Sequence, residues 1–170
     1  MNAQEIIQLL DLQPLPEEGG YFRRTYESAD RLQPEQLPQR YQRDHASAMS
    51  SAIYALFTLD DFSAMHRLDA DEIYHYYWGD PLELLLLYPN GVGKIVLLGT
   101  DFQAGMQPQL MVPKGVWQGS RPMLGGTYGC TLIGTTMSPE FVEAGFEMAT
   151  REELIRDYPS FTPQIETRVR

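Results

Sequence analysis

The chain is poor in cysteine, in histidine and in positive charge. Its 170 residues include 1 cysteine, 3 histidines and 13 Lys plus Arg, against 23 Asp plus Glu. A single cysteine, Cys130, excludes an intramolecular disulfide and any cysteine-rich zinc motif. Its apolar surroundings mark it as an inert core thiol. A formal net charge of −10 repels a phosphate backbone, and Arg23-Arg24 is the only adjacent basic pair. Nucleic acid is therefore not an expected partner. Long apolar runs are missing too: those at residues 52–57 and 84–88 are far too short to cross a bilayer, so no membrane partner is expected. Residues 1–5 have neither a basic stretch nor an apolar one, so they do not read as a secretory signal. Together these absences fit a protein of the reducing cytoplasm.

Hydrophobic residues make up 43% and charged residues 21%, the balance of a globular protein with a true core. The length suits a single domain, 1–170. Residues 2–11 read as a short helix with Asn2 as N-cap, stopped by Pro14 and Pro16. Residues 18–26 read as a strand after a Gly-Gly turn, and 29–47 as a long polar loop that serves as a lid or an interface arm. From Ser50 onward the texture is β. Short apolar or alternating runs at 52–58, 63–68, 72–78, 82–88, 94–98, 109–112, 116–120, 126–137 and 146–148 are separated by turn residues such as Gly79-Asp80-Pro81 and Pro89-Asn90-Gly91. Thr150 and Glu153 form a capping box that opens a last helix, ending by Pro159. The core then spans about 5–159, and 160–170 is expected to be an exposed tail. Many short strands with helices only at the ends predict an all-β sandwich or barrel rather than a parallel α/β fold.

Chemistry concentrates in residues 62–79, where two of the three histidines, His66 and His75, lie on adjacent predicted strands. A second cluster is Val112-Pro113-Lys114-Gly115-Val116-Trp117-Gln118. These segments resemble the two cupin motifs. His66 matches the first histidine of the first motif, and Glu72, six residues and Gly79 match its second half. Pro113-Lys114-Gly115-Val116-Trp117 matches the second motif, with Gln118 where that motif has histidine. Together with Glu18-Gly19-Gly20-Tyr21-Phe22-Arg23, Gly79-Asp80-Pro81-Leu82 and Phe146-Glu147, the pattern resembles the compact cupin-5 branch over nearly the whole chain. The resemblance implies a double-stranded β-helix, or jelly roll, that holds a small-molecule ligand in its mouth and forms a homodimer. It implies no settled reaction.

Metal-binding cupins use three histidines and one glutamate. Here the second histidine position is Leu68 and the third is Gln118, so a divalent transition metal would have only His66, Glu72 and the neutral amide of Gln118. No cofactor is otherwise implied. Without a metal, His66 is a candidate general acid or base, since the ordinary histidine pKa of about 6.5 suits proton transfer near neutrality. Glu72 and Tyr74 are its expected catalytic partners. Arg23, Tyr54, Tyr76, Trp117 and Gln118 are expected to bind the ligand, Arg23 through its guanidinium fork. Strand parity puts Tyr74 and Tyr76 on the face of Glu72 and puts His75 on the other. Each residue also has a bland reading: Glu72 as partner of Arg67, the tyrosines as core, Gln118 as partner of a buried backbone group. The functional reading is a metal-independent isomerase or epimerase acting on a small polar or sugar-derived metabolite. The alternatives are a ligand-binding cupin without turnover, or a metal enzyme with a degenerate ligand set.

Overall fold

Alternation with a period of two accounts for most of the architecture. The computed structural model describes residues 1–41 and 43–170. In chain order the elements are α1 (Ala3–Leu10), β1 (Gln13–Pro14), β2 (Tyr21–Glu27), β3 (Arg31–Leu32), β4 (Ser47–Ala48), β5 (Ser51–Thr58), β6 (Ser63–Leu68), β7 (Glu72–Gly79), β8 (Leu82–Leu87), β9 (Gly93–Leu98), β10 (Gln109–Val112), β11 (Trp117–Pro122), β12 (Cys130–Met137), β13 (Phe146–Met148), α2 (Arg151–Asp157) and α3 (Thr162–Glu166). Two sheets run in the orders β1-β2-β5-β12-β7-β10 and β13-β6-β11-β8-β9, with β3-β4 as a separate ribbon. From β5 to β8, and again from β9 to β13, each strand lies in the opposite sheet to the one before it. That path is a jelly roll, and the expected all-β cupin fold with terminal helices is the fold observed.

The apolar run in β8 is apolar because both of its faces are buried. Leu82, Leu84 and Leu86 point between the sheets, where they meet Phe57, Tyr74 and Ile133. Leu85 and Leu87 point outward and pack with Met65 and Trp117 beneath Leu154 of α2 and Ile165 of α3. Each leucine so buried contributes roughly 2 kcal/mol. The opposite sheet is covered by α1, whose Ile6 meets Leu56 and Cys130. Asn2 caps α1 as expected: its Oδ1 accepts from the Glu5 N–H at 3.0 Å, and Glu5 Oε2 accepts from the Asn2 N–H at 2.8 Å. Thr150 caps α2, accepting from the Glu153 N–H at 3.3 Å.

Three expectations need correction. Residues 160–170 are not an exposed tail. They form a 3₁₀ turn running into α3, Ile165 and Arg168 are buried, and the Arg168 carbonyl accepts from the Met65 N–H at 2.8 Å. The outward leucines of β8 need that cover. The last long strand starts at Cys130 rather than 126, because residues 127–129 turn their N–H groups onto the buried Asp80 carboxylate at 2.7–3.1 Å. Gly79 permits this approach: its φ is +104°, and a Cβ there would lie 2.3 Å from the Cys130 carbonyl oxygen. Finally, the 29–47 segment, described except at position 42, is not a free polar loop. Leu37 and Tyr41 pack on Leu68 and Met137, and buried Arg43 holds Asp69 through two bonds of 3.0 and 3.1 Å and Ser47 through one of 3.0 Å.

Candidate functional site

One end of the barrel is filled and the other is hollow. The aliphatic packing around Leu84 and Leu86 occupies the filled end. At the hollow end lies a cavity of about 350 Å³. Its floor carries His66 from β6, Glu72 from β7 and Thr135 from β12, and its walls carry Phe22 and Arg24 from β2, Ile53 from β5, Leu68, Met137 and Phe146. Residues 15–18 and the segment around Phe141 and Glu143 form the rim.

The polar floor is organised by one amide. Antiparallel pairing of β11 with β6 sets Gln118 opposite His66. The Gln118 Nε2 donates to His66 Nε2 at 3.1 Å and to Glu72 Oε2 at 2.6 Å. His66 Nδ1 donates to the Ala64 carbonyl at 2.8 Å, so the imidazole is the Nδ1–H tautomer with its lone pair on Nε2. Phe146 stacks on the imidazole, ring centroids 5.2 Å apart. The three groups joined by these bonds are withdrawn from water: His66 is 2% exposed, Glu72 7% and Gln118, behind the floor, 1%. Burial pushes the Glu72 carboxyl above its ordinary 4.5, and this outweighs the opposing pull of His66; the neighbouring Glu18 carboxylate adds to the rise. Gln118 Oε1 is buried with no hydrogen-bond partner among the described residues.

Of the residues singled out from sequence, His66, Glu72 and Gln118 come together here. The other five do not line the cavity. Tyr74 shares the inward face with Glu72 and lies behind the floor in the aliphatic core, its phenol within hydrogen-bond reach of the Glu72 carboxyl. Burial and the Glu72 charge push its phenol well above its ordinary pKa. Tyr76 packs against the same core and donates to the Gly79 carbonyl. Arg23 and Tyr54 pair across β2 and β5, and the guanidinium lies 5.7 Å from the Tyr54 ring centre. Neither lines the cavity; their neighbours Arg24 and Ile53 do. Trp117 precedes Gln118 and so faces outward, under the Arg67 guanidinium. His75, as parity predicts, is off the inward face, 3.2 Å from Thr136 Oγ1; the irregularity in β7 falls beyond it, between the partners of Leu132 and Ile133. Arg67, weighed as a partner for Glu72, instead holds Glu147 at 2.7 and 2.8 Å.

Sequence reasoning missed Phe22, Arg24, Ile53, Thr135, Met137 and Glu143. A register of β2 against β5 would have separated Arg24 from Arg23, and alternation cannot supply it without one known inward residue.

The donor set does not fit a transition metal. The His66 and Glu72 atoms that would serve as ligands both take N–H bonds from Gln118, and Leu68 replaces a third donor. Among the described residues, no group of three or more His, Cys, Asp or Glu is placed to hold a metal ion.

Two sheets of alternating path around a mouth cavity define a cupin barrel. The family described as cupin superfamily (DUF985) matches residues 4–149, and the chain belongs to it. A hypothetical protein from Leishmania major is similar over 99% of both chains, with 29% identity and a TM-score of 0.86. A protein of Shewanella oneidensis is similar over 100% of this chain and 98% of its own, with 31% identity and a TM-score of 0.86. A mutant of Bacillus subtilis oxalate decarboxylase shares the fold alone: 12% identity and a TM-score of 0.52 over 94% of this chain and 38% of its own. No curated protein matches the sequence. No helix is long and apolar enough to cross a membrane among the described residues.

Proposed function

We propose that this cupin binds a small organic molecule in the barrel mouth and that His66 moves a proton on it, as in a metal-independent isomerase or epimerase. The observation that carries this reading is the shared amide: His66 and Glu72, both on the cavity floor, are joined through the Gln118 Nε2 at 3.1 and 2.6 Å. The bond to Ala64 keeps the Nδ1 proton in place and leaves Nε2 as the basic atom. When Nε2 accepts a proton from an acidic C–H or O–H of the ligand, it can no longer accept from the amide. The Gln118 amide then keeps only its bond to Glu72, and the imidazolium Nε2–H faces the ligand. The proton taken from one atom of the ligand returns from His66 to another, so charge balances over the cycle.

No tyrosine lines the cavity among the described residues. This favours transfer between two positions on one face of the ligand over inversion through a histidine and a tyrosine on opposite faces.

The test is a screen of small carbonyl compounds and sugar derivatives in D₂O, followed by NMR. Exchange of a ligand proton that His66→Ala abolishes, while ligand still binds, is the expected result. Ligands that bind without touching the resonances of Met137 or Phe146 would remove the reading. A second reading, ligand binding without turnover, is favoured by the same amide, because it already satisfies both Nε2 and the carboxylate. Binding with no exchange from any ligand would select it.

A further inference from the structure

We propose, resting on the reading of the mouth cavity as a ligand site, that its ligand is cationic: an organic amine with a small apolar body. Glu72 is 7% exposed and forms no ion pair among the described residues; the groups that reach it are neutral, the Gln118 amide and the Thr135 and Tyr74 hydroxyls. A carboxylate buried in this way lacks the cation that normally accompanies it. Glu18 stands beside it on the cavity wall, oriented by the Ser63 hydroxyl, which donates to it at 2.7 Å. Glu17 and Glu143 add two carboxylates at the rim.

The one arginine on the wall does not offset these charges. Arg24 is hydrogen-bonded to Glu27 and lies 3.9 Å from Glu140. An anionic ligand would therefore meet four carboxylates and a guanidinium already paired. An ammonium group would supply the counter-charge that Glu72 and Glu18 lack, and Phe22 and Phe146 would take the apolar body, their ring faces being attractive to a cation.

Three probes of one shape separate charge from fit: benzylamine, benzyl alcohol and phenylacetate, titrated into the full chain at about pH 8, where the amine is charged. Binding is read by calorimetry and by the NMR shifts of Met137 and Ile53. The amine is expected to bind about tenfold or more tightly than either competitor, a difference of one decade in Kd. Glu18→Gln, which keeps an acceptor for Ser63, should reduce that preference severalfold and leave benzyl alcohol unchanged; Glu143→Gln at the exposed rim should reduce it less. Phenylacetate or benzyl alcohol binding as tightly as the amine would overturn the charge inference and leave the cavity reading standing. Failure of all three to shift Met137 or Ile53 at millimolar concentration would overturn both.

Discussion

At the scale of single residues, Gln118 is the informative side chain. It stands where a metal cupin has histidine, and its amide nitrogen takes the two contacts that a metal would have made with His66 and Glu72. Restoring the donors should therefore restore the metal. The double variant Leu68→His with Gln118→His is expected to bind about one divalent transition ion per chain, by the ligand count such sites require. Elemental analysis after dialysis checks this, and a double variant that stays metal-free would show that the backbone, not the side chains, excludes the ion. Glu72 makes a separate prediction about pH. Burial raises its carboxyl above 4.5, so the native chain holds this proton more readily than the unfolded one. The stability Glu72 contributes is present below that ordinary value and is lost as pH rises through the elevated native value. Glu72→Gln, which resembles the protonated form, should make the protein more stable than the parent at neutral pH and nearly equal to it at about pH 4. Urea unfolding at both pH values decides it; a variant less stable at neutrality would contradict the sign.

At the scale of elements, the segments with the weakest sequence signals do the closing. The C-terminal turn and α3 cover the outward face of β8, with Ile165 fully buried on Leu85 and Leu87. Ile165→Ala should cost about 2–4 kcal/mol, the usual range for an isoleucine truncated in a core. Denaturant unfolding measures that directly, and a loss below about 0.5 kcal/mol would fit an exposed tail instead. The 31–48 arm acts on the other end. Leu37 and Tyr41 lie on Leu68 and Met137, two side chains of the cavity wall, so the arm backs the pocket. Arg43, tied to Asp69 and Ser47, anchors it.

At the scale of the molecule, closure of the sheets leaves edges to manage. β1 pairs only with Tyr21 and Phe22, so among the described residues the outer edge of β2 from Arg23 to Glu27 has no strand partner. An unpaired edge of this length invites a second copy of the chain, and two-fold pairing is the commonest way to cover it. We therefore expect a homodimer through this edge. Light scattering after size exclusion should give twice the 19.4 kDa chain mass, and a monomer at micromolar concentration would dispose of the idea. The net charge of −10 and the acidic cavity have the same sign, so a cationic ligand would be drawn toward the mouth by both, more weakly as salt is added.

The barrel was legible in the sequence because turn residues and apolar alternation are local signals. Strands 63–68, 109–112 and 146–148 appear with the bounds that spacing predicts. His66, Glu72 and Gln118 were legible because motif spacing and parity put them on inward faces, and the two caps, Asn2 and Thr150, were written in the residues beside them. Which residues share a cavity was not local. Arg24 instead of Arg23, Phe146 over His66 and Tyr74 in the core instead of the pocket all depend on register between strands far apart in the chain and on where filling stops along the barrel axis. The same holds for α3: the need to cover Leu85 and Leu87 arises only once β8 is buried from both sides. Sequence determined the strands and the inward faces through short-range periodicity; tertiary structure decided the walls and the charge of the hollow, because those come from side chains that only long-range pairing brings within a few ångströms of one another.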